Sequence, residues 1–88
     1  MDEYIRLANG RTFQNSHVLE SSGNLFLYIQ DSNETLKTVF DDLYKSAGTA
    51  TIIEHRFGED HIYTGYTDLY SVRDERGVQL TASLRKGD

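Results

Sequence analysis

Apolar residues alternate with polar ones in short runs along this chain. Most of the runs are separated by turns that close on glycine, namely Ala8-Asn9-Gly10, Ser21-Ser22-Gly23 and Glu75-Arg76-Gly77. Period-two alternation bounded by such turns predicts antiparallel strands joined as hairpins. One segment changes period. Leu36, Val39, Phe40, Leu43 and Tyr44 recur at helical spacing and form a single apolar stripe, which predicts a helix over about 33–46. Asp31 or Ser32 is placed to cap its start, Glu34 suits its first turn, and Gly48 can end it. Asp41 and Lys45 offer an i,i+4 ion pair. The expected fold class is therefore α+β, in one domain over residues 1–88. It would be an antiparallel sheet of about six to seven strands built from hairpins, with one helix inserted mid-chain and packed on one face.

Facing decides the expected registers. In the first hairpin a three-residue loop with Gly10 left-handed pairs Leu7 with Arg11 and Ile5 with Phe13, which collects Ile5, Leu7 and Phe13 on one face. The Leu25–Ile29 run is apolar on both faces, so it should be the most buried strand. A four-residue loop over 58–61 would set Phe57 against Ile62 and Ile53 against Tyr66. A loop at Glu75-Arg76-Gly77 would set Val72 against Leu80 and Tyr70 against Ala82. These registers put Ile62, Tyr66, Tyr70 and Val72 on the face that receives the helix, with Asp68 as a bulge or rim position. Tyr63 and Leu69 then point away from it, and these two are the candidate interaction surface.

Composition narrows the partners. Fourteen acidic residues against nine basic ones give a net charge of −5, which disfavours binding to a phosphate backbone, so no nucleic-acid partner is expected. The chain has no cysteine, which removes disulfides and thiolate metal ligands. Its longest apolar run, Leu25–Ile29, is far short of a membrane span. Asp2 and Glu3 stand where an export signal would carry Lys or Arg. Synthesis in the cytoplasm, with no membrane partner, is the expectation.

Candidate chemistry is sparse. His55 and His61 share a hairpin with Glu54, Glu59 and Asp60, but residues that alternate across a strand do not by themselves converge on an ion, so no metal is expected there. His17 reads as a strand-surface residue. No Gly-x-Ser-x-Gly elbow, phosphate loop or positioned Ser, His and acid set is present. No catalytic residue and no cofactor is expected.

Four segments carry a resemblance along most of the chain: Tyr4-Ile5-Arg6-Leu7-Ala8-Asn9-Gly10, Leu36-Lys37-Thr38-Val39-Phe40, Tyr63-Thr64-Gly65-Tyr66-Thr67 and Leu84-Arg85-Lys86. In their order and spacing the chain resembles small proteins carried by phages and prophages of Gram-positive bacteria. The resemblance implies a virion-assembly, tail-associated or accessory protein. The expected function is a nonenzymatic structural or interaction module whose partners are other proteins, a phage assembly or copies of itself. The alternative is a small acidic protein that inhibits or regulates a basic partner, and a small enzyme comes third.

Overall fold

The computed structural model describes residues 3–30, 36–47, 51–75 and 79–87. Eight strands and one helix follow in the order β1 (Tyr4–Leu7), β2 (Thr12–Gln14), β3 (His17–Ser21), β4 (Asn24–Ile29), α1 (Leu36–Ala47), β5 (Thr51–Arg56), β6 (Glu59–Thr64), β7 (Asp68–Glu75) and β8 (Gln79–Arg85). The class is α+β with antiparallel pairing, as the alternation indicates. The single sheet of six to seven strands is corrected, because the strands form two sheets of four. Sheet A has the order β2-β1-β5-β6 and sheet B the order β3-β4-β8-β7.

The hairpins are dealt to the sheets in turn: β1β2 to A, β3β4 to B, then after the helix β5β6 to A and β7β8 to B. The central contacts of both sheets, β1 with β5 and β4 with β8, therefore join the first half of the chain to the second. Ile5, Leu7, Phe13 and Ile52 from sheet A meet Val18, Leu25, Leu27, Ile29, Leu80, Ala82 and Leu84 from sheet B in one shared core.

The first hairpin has the expected register. Ile5 faces Phe13, the Leu7 N–H donates to the Arg11 carbonyl at 2.8 Å, and Gly10 takes the left-handed φ of 89° that its bulge requires. The second is a two-residue turn at Ser22-Gly23, with Ser21 opposite Asn24 and φ of 50° and 80° at the turn residues, the mirror-image geometry that matches strand twist.

Two registers are corrected. Phe57 and Gly58 alone form the β5–β6 turn, so Ile53 faces Ile62, not Tyr66, and Phe57 has no strand partner. Val72 faces Ala82, not Leu80, and the bulge lies between Leu69 and Ser71, at Tyr70 instead of Asp68. The face proposed to receive the helix does not exist as such, since β6 and β7 belong to different sheets. Ile62 and Tyr70 are exposed, Tyr66 is buried, and Val72 is half-buried against the core.

The strand covered on both faces is β8 and not β4. Leu80, Ala82 and Leu84 are buried on its inner side, and Thr81 and Ser83 on its outer side. Short side chains explain this: Thr81 lies between Tyr28 and Arg73, and Ser83 beside Phe26, so longer neighbours shade them. Phe26 and Tyr28 on β4 are themselves only half covered.

The helix runs beside β7 and inserts Val39 and Leu43 into the core. Its Asp42 reaches Arg11 in the β1–β2 turn at 3.3 Å, which ties it to sheet A as well. Phe40, expected to be buried, is 39 % exposed and stacks on the exposed Tyr44 at 6.1 Å. Among the described side chains of the stripe the core takes Val39 and Leu43, one turn apart, and leaves the Phe40 ring beside them outside. Asp41 pairs with Lys37 at 3.8 Å, one turn before the expected Lys45. The proposed caps at Asp31, Ser32 and Gly48, the Glu34 position, the Leu36 side chain and the loop residues Arg76 and Gly77 lie outside the described residues. Among the described residues no helix is long and apolar enough to cross a membrane.

Candidate interaction surface

Alternation along β1 and β5 divides sheet A into two chemically different faces. Ile5, Leu7, Ile52 and Glu54 turn inward, while Tyr4, Arg6, Ile53 and His55 turn outward. The outward face carries two adjacent rows. One runs Gln14, Tyr4, His55, Asp60 and the other Thr12, Arg6, Ile53, Ile62. Tyr4 and His55 stack at 4.9 Å between centroids, Arg6 lies over the Tyr4 ring at 5.2 Å, and His55 Nδ1 is 2.7 Å from Asp60 Oδ1. Beside this polar and aromatic row, Ile62 is 63 % exposed.

At the tip of the same hairpin stands Phe57, 68 % exposed and held at φ 53°. A left-handed backbone at a bulky residue costs roughly 1–3 kcal/mol, and the ring gains little burial in return. The Arg56 guanidinium lies 5.7 Å from its ring centroid.

Tyr63 and Leu69, expected to point outward, are corrected: both are half-buried and pack against the shared core. Tyr63 stands opposite Ile52 on the inner face of sheet A, and Leu69 stands opposite Leu84 on the inner face of sheet B. His55 and His61 lie on opposite faces of sheet A, so their side chains diverge. His17 lies on β3 with Nδ1 3.1 Å from Glu3.

The inner face of sheet A also holds a group that the sequence pattern does not reveal. Glu54 is fully buried, and its Oε2 accepts the backbone N–H of Val18 at 2.8 Å. Its Oε1 lies 4.0 Å from Arg56 Nε, and neither of these two atoms has a hydrogen-bond partner among the described residues. Burial, and then the negative charge of Glu54, raise the pKa of Tyr63. Nearby, the Tyr66 hydroxyl donates to the Glu20 carboxylate; that bond, followed by burial, pushes the phenol up to about 12. These are acids and phenols locked onto one another and onto the backbone, which makes the cluster a structural brace between the sheets. No group of three or more His, Asp or Glu among the described residues is arranged to hold a metal ion.

The geometry defines a two-sheet α+β sandwich with an exposed apolar and aromatic face on sheet A. No protein-family model, curated protein or solved structure matches this chain.

Proposed function

We propose that this protein is a nonenzymatic interaction module that binds another protein through the outer face and hairpin tip of sheet A. The observation that carries the reading is Phe57, an aromatic ring displayed at a turn whose backbone it strains. A residue that weakens its own turn and fills no core is explained by a contact made outside the chain. Exposed Ile62, with Ile53, Tyr4 and Arg6 beside it, supplies the apolar floor and polar rim of such a surface. The setting we propose is the virion or tail assembly that the resemblance to small phage and prophage proteins implies.

The test is affinity capture from a producing cell, comparing the native chain with a Phe57→Ser, Ile53→Ser double variant. Recovery of structural virion components by the native chain, reduced at least about tenfold by the double variant, supports the reading. Equal recovery by both would refute the surface, and recovery of a basic nucleic-acid enzyme alone would favour an acidic regulator instead.

A further inference from the structure

A two-sheet sandwich has four strand edges, each a row of backbone groups open to further pairing. Three of them carry a device that blunts them. Strand β2 is only three residues long. On β3 the N–H of Val18 is occupied by the Glu54 carboxylate. Along β7 the ladder is broken by the bulge between Leu69 and Ser71, and the helix lies alongside. The fourth edge, β6, has none of these. It is six residues long, it pairs regularly with β5, and no strand among the described residues pairs with its other side.

The two-residue turn fixes which backbone groups of β6 are free. Arg56 and Glu59 close the hairpin as a hydrogen-bonded pair, so the pairing alternates from there. The N–H and C=O groups of Asp60, Ile62 and Thr64 then point away from β5. The acids sit at the start of the strand, in Glu59 and Asp60, and Ile62-Tyr63-Thr64 is uncharged.

We propose that β6 pairs antiparallel with β6 of a second copy of this chain, centred on Ile62, so that the two A sheets join as one continuous sheet. The inference rests on the reading of the protein as an interaction module and names one of its partners. In this register Ile62 faces Ile62 of the second copy, and Asp60 faces Thr64 of the second copy. The acidic ends lie at opposite ends of the junction, and each Asp60 meets a hydroxyl in place of another carboxylate. On the outer face, Ile53 and Ile62 of both copies form one apolar strip, and the side chain that is 63 % exposed in the monomer gains its cover from its twin. A chain of net charge −5 self-associates at an edge whose middle carries no charge.

Because the chain contains no cysteine, single-cysteine variants read the register directly. Hydrogen-bonded antiparallel partners have Cα atoms about 5.5 Å apart, within disulfide range. Under mild oxidation Ile62→Cys is expected to link to itself and Asp60→Cys to link to Thr64→Cys in a mixture. Leu19→Cys, also exposed but on β3, should link far more slowly. In sedimentation velocity the native chain is expected to dimerise, and Ile62→Lys to weaken the dimer at least about tenfold without moving the urea midpoint measured at concentrations where both chains are monomeric. A native chain that stays monomeric at every concentration, or Leu19→Cys linking as readily as Ile62→Cys, would overturn the proposal. A native chain that stays monomeric yet still captures another protein through Phe57 and Ile53 sinks this inference alone. A dimer that forms while capture is indifferent to Phe57 and Ile53 sinks the functional reading and leaves the dimer standing.

Discussion

The Glu54 carboxylate and the Val18 amide, 36 positions apart in sequence, meet at 2.8 Å inside the sandwich. A central strand of sheet A thereby closes the open edge of sheet B. The bond has a charged acceptor and a backbone donor and lies out of water, so removing the acceptor leaves the amide unsatisfied. Glu54→Ala is expected to cost about 1.5–3 kcal/mol and to speed hydrogen exchange at the Val18 amide. Glu54→Gln keeps an acceptor and should cost less. Urea denaturation with exchange measured at Val18 checks both, and unchanged exchange in Glu54→Ala would show that the carboxylate does not hold the edge.

Phe57 is the residue least suited to its own turn. Asparagine favours the mirror-image turn geometry that Phe57 and Gly58 adopt. Phe57→Asn is therefore expected to raise stability by about 1 kcal/mol while weakening partner capture. A thermal midpoint that falls would mean that the ring stabilises the monomer.

Two neighbours on the helix should respond very differently to truncation. Leu43 is buried in the core, and Leu43→Ala is expected to cost about 2–5 kcal/mol. Phe40, partly exposed against Tyr44, should lose under about 1 kcal/mol on the same change. Their urea midpoints, compared side by side, test which face of the helix is docked.

The phenol of Tyr66 has its pKa raised from 10.0 to about 12 by its bond to Glu20 and by burial. A group whose pKa is raised on folding contributes stability that is fully present below the unfolded value and is lost as pH climbs through the folded one. Stability should fall between about pH 10 and pH 12, and Tyr66→Phe should flatten that limb. Spectroscopic titration of tyrosinate absorbance should show a late-ionising phenol that disappears in Tyr66→Phe, and ionisation of all six tyrosines together near pH 10 would contradict the Tyr66–Glu20 bond.

The first hairpin was legible because, of the two tight loops that Asn9-Gly10 can close, only the three-residue one puts Ile5, Leu7 and Phe13 on one face, and the sheet obeys that demand. The later hairpins were not. Moving Ile53 from Tyr66 to Ile62, or Val72 from Leu80 to Ala82, changes the partner by an even number of residues and leaves every side chain on the same face, so alternation cannot distinguish the registers. The choice of inner face on β5 failed for a different reason. Ile53 and Phe57 make one side look more apolar than the side of Ile52 and Glu54. The chain nonetheless buries Glu54, because the second sheet brings an amide to it. Tyr63 follows Glu54 inward for that reason, and the bulge at Tyr70 turns Leu69 inward alongside Val72. The inward turn of Glu54 and Tyr63 depended on a contact between sheets, which no local window contains. The exposed tip was also hidden, since an aromatic beside a glycine reads as the last residue of a strand and not as a displayed turn.

Dealing the hairpins alternately to the two sheets has a kinetic side. Each half of the chain owns one hairpin of each sheet, but the middle of both sheets forms only when β5 finds β1 and β8 finds β4. Residues as far apart as Asn24 and Arg85 must meet before sheet B is complete, and Tyr4 must meet His55 before sheet A is. Local hairpins can come and go early, but the rate of productive folding is set by closing the long loop between the halves. Any chain still emerging from the ribosome without β8 exposes the inner edge of β4, so a chain that has already released β8 is the first species able to protect these apolar strands.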